Sequence, residues 1–129
     1  DLPHAVFIAE YKKLFDAAGI SFIPLITPQT SDERIHLIDS YSNGFIYMVS
    51  SSSTTGKTAA AENHTESYFK RIQAMNCNNP RMIGFGIHDR ESCAMALKYA
   101  NGAIIGSAFI RMIEQSNNFA TDIKNFINK

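Results

Sequence analysis

The sequence predicts an α/β fold in which parallel strands are joined by covering helices. Short β-rich apolar runs alternate with helical patterns four times along the chain, and glycine or a capping residue marks most of the joints. Apolar residues make up 45% of the chain and charged residues 19%, a balance that suits a packed globular unit rather than a disordered tail.

Residues 5–18 mix Val6, Ile8, Leu14 and Phe15 with Glu10, Lys12 and Lys13, the pattern of an amphipathic helix, and Gly19 ends it. The run 20–27 is almost wholly apolar and reads as a strand buried on both faces, although Pro24 interrupts it. Thr30 and Glu33 have the spacing of a capping box for a helix running to about Ser42, and Asn43-Gly44 stops that helix. Residues 45–50 form the next strand. The polar run from Ser51 to Gly56 follows, and residues 51–63 are expected to be a mobile loop beside a ligand. Asn63 and Glu66 can cap a helix through Met75, with Tyr68, Phe69 and Ile72 on its apolar side. Pro80 separates that helix from a strand at 82–86. Asp89 caps a helix to about Ala100, and Asn101-Gly102 turns the chain into the strand 103–105. Helices over 107–114 and 117–128 complete the pattern.

Twelve Lys plus Arg balance twelve Asp plus Glu, so no net field favours nucleic acid or an acidic membrane. No apolar run approaches the roughly 18 residues that a bilayer span needs, so no membrane partner is expected. Cys77 and Cys93 lack a metal-ligand spacing, and no secretory signal precedes them; they read as reduced thiols in a cytoplasmic protein. His4, His36, His64 and His88 also lack metal-site spacing and read as surface residues.

Chemistry is expected where strands end. Gly56, Gly86 and Gly106, the last followed by Ser107, lie after successive strands. Glycine admits a ligand close to the backbone, and a helix N-terminus adds partial positive charge, so the three loops suggest a phosphate cradle. Each glycine taken alone is also what an ordinary turn requires. Gly56-Lys57-Thr58 looks like the end of a P-loop, but Ser51 stands where the first glycine is needed, and no clear helix begins at Lys57. Asp89 and Glu91 lie near these loops, and helix capping accounts for them better than acid-base chemistry.

Asp1-Leu2-Pro3, Gly44-Phe45-Ile46-Tyr47, Thr55-Gly56, Gly84-Phe85-Gly86-Ile87 and Gly106-Ser107-Ala108 follow one another in an order and spacing that closely resembles tryptophan synthase α subunits over nearly the whole chain. The resemblance implies the C-terminal half of a (β/α)8 TIM barrel, strands five to eight with their helices. At 129 residues the chain is about half such a barrel, a single partial domain with the N-terminal half absent. It further implies a cofactor-free lyase that cleaves indole-3-glycerol phosphate to indole and glyceraldehyde 3-phosphate, and a β subunit as partner.

Carried over by position, Gly56, Gly86, Gly106 and Ser107 match phosphate-binding residues. Tyr47 matches an active-site tyrosine, Phe85 an aromatic residue lining the indole pocket, and Thr55 the closing-loop threonine that contacts the catalytic aspartate. Asp1, Leu2 and Pro3 are expected at a partner interface. The family's catalytic glutamate and aspartate belong to strands upstream of this segment, so no catalytic residue is assigned here. Ser53-Thr54 stands where the family usually has Gly-Val, which puts the kinetics of loop closure in question. Two other readings stay open: another phosphate-binding barrel of histidine or tryptophan biosynthesis, and a non-catalytic anion-binding or assembly module. A second copy of the chain, or the missing N-terminal half, is expected to cover the open strands.

Overall fold

The computed structural model describes residues 2–50, 59–84 and 86–128. Four strands, β1 (Leu25–Ile26), β2 (Ile46–Val49), β3 (Arg81–Gly84) and β4 (Gly102–Ile104), form one sheet in chain order. Every neighbouring pair is parallel. Helices α3 (Asp32–Tyr41), α4 (Ala59–Ala74) and α5 (Arg90–Tyr99) connect them, which is the crossover that parallel pairing demands. The short α1 (His4–Val6) and α2 (Lys12–Ala18) precede the sheet, and α6 (Ser107–Glu114) and α7 (Phe119–Ile127) follow it.

All three connecting helices lie against one face of the sheet. That face carries Ile26, Ile46, Met48 and Ile83, none more than 1% exposed, packed against Ile35 and Ile38 of α3, Tyr68, Phe69 and Ile72 of α4, and Ala96 and Tyr99 of α5. Because side chains alternate along a strand, Leu25, Tyr47, Val49, Met82 and Ile104 fall on the opposite face. Among the described residues the connecting helices pack on the other face alone, and Leu25 is 44% exposed.

Several expectations change. The strand expected over 20–27 shrinks to Leu25–Ile26, and Ile20 and Leu25 are exposed rather than buried on both faces. Pairing on one side only, to Tyr47 and Met48, is the reason. The first helix contains a π turn, Phe7–Tyr11, before Gly19 ends it at φ 66° as expected. The cap of α3 is Ser31, whose hydroxyl accepts from the Arg34 amide at 3.3 Å. Thr30 instead closes the turn after β1, its Oγ1 accepting from the Thr27 amide at 2.9 Å. Helix α4 begins at Ala59, so Asn63 lies inside it and Glu66 is not part of a cap; Glu66 accepts a hydrogen bond from the Tyr99 hydroxyl of α5. The Gly56-Lys57-Thr58 run lies outside the described residues. Residues 51–58 of the expected mobile loop lie outside the described residues, and from Ala59 the backbone is helical. Asp89 caps α5 as expected, in a reciprocal box with Ser92.

Two polar anchors hold the layers in height. Arg71 of α4 donates to the carbonyls of Pro28 and Thr30 and pairs with Asp32, fastening the turn after β1. At the other end of the sheet, Asp39 is 6% exposed and accepts from the backbone amides of Asn78 and Asn79 at 2.8 and 2.9 Å and from both asparagine side chains. Burial acts to raise the Asp39 carboxyl, but these bonds outweigh it and hold the group below its ordinary value. A depressed native pKa contributes stability at pH above the unfolded value, and that stability is lost as pH falls through the native value. Asp39→Ala is therefore expected to cost about 3 kcal/mol near neutral pH, the scale of stranding buried donors, and progressively less in acid. Urea unfolding of both proteins at pH 7 and pH 3 checks this, and a cost independent of pH would refute it.

Candidate functional site

Parallel pairing brings the C-terminal ends of all four strands to one edge. The register aligns Val49 with Gly84 and Gly84 with Ile104, so the residues two positions further on in β3 and β4 are Gly86 and Gly106. These two predicted loop glycines therefore leave the sheet at matching heights. Gly86 has φ +74°, a conformation that L side chains rarely adopt, which explains glycine there. Gly106 precedes α6, and no side chain caps that helix. Among the described residues a Cβ placed on Gly106 would meet nothing within 4 Å, and both Gly106 and Ser107 are exposed. Among the described residues no side chain occupies the first-turn amides of α6, the arrangement that attracts an anion.

Tyr47 reaches this edge from β2. Its ring lies across β3: a Cβ on Gly84 would fall 1.9 Å from the Tyr47 hydroxyl oxygen and 2.2 Å from Cζ. Glycine at 84 is thus a requirement of Tyr47, a close approach of the kind that marks glycine inside strands. Burial raises the Tyr47 pKa, so its hydroxyl stays protonated and able to donate. One position beyond β2, buried Ser50 donates through both its amide and its hydroxyl to the Gly84 carbonyl, at 3.3 and 3.2 Å. Its Oγ also lies 3.6 Å from where a Gly86 Cβ would stand.

Tyr47, Gly86, Gly106 and Ser107 therefore share one edge of the sheet. Asp1, Thr55, Gly56 and Phe85 lie outside the described residues. Leu2 is half-buried and Pro3 exposed just before α1, and both line a surface pocket with Phe22, Leu25, Arg34 and Tyr41. Sequence reasoning missed Ser50 and the seat at Gly84; the signal for the latter was a glycine within an apolar strand pattern. His4 is not the expected surface residue: it is half-buried, stacked on Tyr41 and bonded through Nδ1 to Arg34 at 2.7 Å. Among the described residues no group of His, Cys, Asp and Glu could hold a metal ion, and no helix is long and apolar enough to cross a membrane. Cys77 and Cys93 are free thiols.

A parallel α/β sheet with its connecting helices on one side and its strand ends gathered at one edge defines half of a (β/α)8 barrel. The sequence model of the tryptophan synthase alpha chain matches residues 1–128, and the chain belongs to that family. It is 52% identical over 129 residues to the tryptophan synthase alpha chain of Christiangramia forsetii, covering all of this chain and 50% of that one. To the Flavobacterium johnsoniae alpha chain it is 55% identical over 116 residues, 90% of this chain and 46% of the relative. Among solved structures, the tryptophan synthase A-subunit of Pyrococcus furiosus superposes with a TM-score of 0.73 at 31% identity, over 95% of this chain and 49% of that one. The alpha subunit of Campylobacter jejuni gives 0.70 at 28% identity, over 87% and 44%. The chain spans about half the length of the curated relatives it matches, and the half-barrel expectation holds.

The Tyr47 seat is directly testable. Gly84→Val is expected to expel the Tyr47 ring from β3 and to destabilise the sheet by about 2 kcal/mol or more, the scale of overpacking in a filled site. Near-ultraviolet circular dichroism and urea unfolding report the two effects; an unchanged tyrosine signal at unchanged stability would show that the ring does not depend on Gly84.

Proposed function

We propose that this chain supplies the phosphate and indole-binding side of an indole-3-glycerol phosphate lyase, working in the cytoplasm with a tryptophan synthase β subunit. The supporting observation is the meeting of Gly86 with the uncapped N-terminus of α6 at the edge where Tyr47 stands. Amides of Gly86, Gly106 and Ser107 hold the substrate phosphate, with Gly56 completing the cradle. Tyr47 and Phe85 flank the indole, and Thr55 belongs to the loop that closes over it. Asp1, Leu2 and Pro3 face the partner subunit.

The reaction breaks the bond between indole C3 and the glycerol chain. An acid protonates C3, and a base takes the glycerol hydroxyl proton as the aldehyde forms, while the indole nitrogen proton is handled in the same site. The glutamate and aspartate for these steps come from the complementary half-barrel, and this chain contributes binding and closure.

Among the described residues the four parallel strands leave two unpaired edges, and the face of Leu25, Tyr47, Val49, Met82 and Ile104 carries none of the helix packing. Purified residues 1–129 are expected to elute larger than a monomer or to aggregate, and to release no indole from indole-3-glycerol phosphate. Activity is expected to return on co-expression with the complementary half of the Christiangramia forsetii alpha chain. A soluble monomer with measurable turnover refutes the division of labour.

Phosphate binding is tested at Gly106, where a Cβ meets no described atom within 4 Å, so the fold is expected to tolerate a side chain. In the reconstituted protein, Gly106→Val is expected to weaken glycerol 3-phosphate binding at least 10-fold by filling the cradle, a loss of about 1.4 kcal/mol. Unchanged affinity in calorimetric titration would place the phosphate elsewhere.

A further inference from the structure

Asparagine precedes glycine twice, at Asn43-Gly44 and Asn101-Gly102, and both steps turn the chain from a helix into a strand. The same dipeptide is chemically reactive. The glycine nitrogen, once it gives up its proton, can attack the side-chain amide carbon of the asparagine and close a five-membered ring. Glycine hinders that approach least, and the short tether replaces a collision between molecules. The fold decides which of the two steps is free to react.

Asn101 is held. Its Oδ1 accepts from the Arg81 amide at 2.9 Å, and its own amide donates to the Arg81 carbonyl at 2.9 Å, so side chain and backbone both grip the first residue of β3. Gly102 is buried at the start of β4, aligned with Met82, and a Cβ there would stand 2.6 Å from both Sδ and Cε of that residue. Turning the Asn101 side chain onto the Gly102 nitrogen would break the bond to Arg81 and disturb a paired strand. Asn43 differs on each point. It is exposed in the bend between α3 and β2, and among the described residues neither its side chain nor the Gly44 amide takes part in a hydrogen bond.

We infer that Asn43 is a site of spontaneous deamidation, converted through a succinimide to aspartate and isoaspartate, while Asn101 in the same dipeptide is protected. The bond from the Gly44 nitrogen to Asn43 Cγ forms as the bond from Cγ to Nδ2 breaks, and Nδ2 leaves as ammonia. Water then opens the ring. Attack at Cγ gives aspartate, and attack at the backbone carbonyl gives isoaspartate, whose main chain runs through Cβ; the balance is one water in and one ammonia out. Both products put a negative charge two residues beyond the last residue of α3, at the helix end that disfavours it. Isoaspartate also lengthens the backbone just before β2. That strand is fixed at its start by the Ile46 amide on the Pro80 carbonyl at 2.8 Å and the Tyr47 amide on the Pro24 carbonyl at 2.9 Å. Gly44 itself lies against the segment before β1, since a Cβ there would fall 2.7 Å from Ile23 Cδ1 and 3.3 Å from Ser21 Cβ. The added atom therefore strains the entry to the strand that carries Tyr47.

The test ages the full-length alpha chain that carries these residues in mildly alkaline buffer and follows both asparagines by peptide mass spectrometry, with electron-transfer fragmentation to separate isoaspartate from aspartate. Conversion at Asn43 is expected to outrun that at Asn101 by about 10-fold or more in the folded protein, and the two rates should converge in urea, where the grip on Arg81 is gone. Asn43→Gln, whose longer side chain would have to close a larger ring, should abolish the product at this position in a protein that still folds. The isoaspartate fraction is expected to unfold at lower urea than fresh protein, with Asn43→Asp, which carries the charge without the added backbone atom, between them. Equal rates at the two asparagines in the folded protein, a faster rate at Asn101, or an Asn43 that stays intact would overturn the inference. An isoaspartate fraction as stable as fresh protein would overturn the strain assigned to the entry of β2.

Discussion

Parallel pairing of β2, β3 and β4 is the constraint on which the rest of the molecule depends. It aligns Val49, Gly84 and Ile104 in one row, so that the loops leaving the sheet do so together. It also requires each return to the opposite end of the sheet, and α3, α4 and α5 make those returns on a single side. One face thereby becomes a core of Ile26, Ile46, Met48 and Ile83. The other becomes a surface on which side chains lean sideways from strand to strand.

That lean links packing to the site. Tyr47 crosses to Gly84 and Met82 crosses to Gly102, so two glycines within strands, locally unfavourable, are compensated by the side chains they receive. Ser50 then ties the Gly84 carbonyl to the end of β2 from the same row. The polar anchors lie away from this face: Asp39 locks the asparagine turn before β3, and Arg71 locks the turn after β1. Stability is thus concentrated on the helix side and at the turns, and the strand face remains open for a ligand and for the other half of a barrel.

The order of elements was readable along the chain because its signals are local. Gly19 ends its helix, Asp89 caps α5, and the alternation of Ile46, Tyr47, Met48 and Val49 appears as buried and half-buried positions in turn. The misreadings at Thr30 and Asn63 share a cause. A capping box is a pattern of residue types, and Thr30 meets the pattern while its hydroxyl is already committed to the Thr27 amide. Residues 20–27 are apolar enough for a long strand, yet a strand needs a neighbour, and only Leu25 and Ile26 have one.

By itself the sequence determined the α/β class, the four repeated units and the glycines after β3 and β4, because helix periodicity, turn chemistry and backbone freedom are properties of neighbouring residues. Only the tertiary structure decided that Tyr47 occupies the place a Gly84 side chain would take, that Met82 does the same at Gly102, and that Asp39 meets Asn78 and Asn79. Those partners are separated by twenty residues or more along the chain. Their encounter depends on strand register and on which face each side chain takes, and a shift of one residue would reverse both.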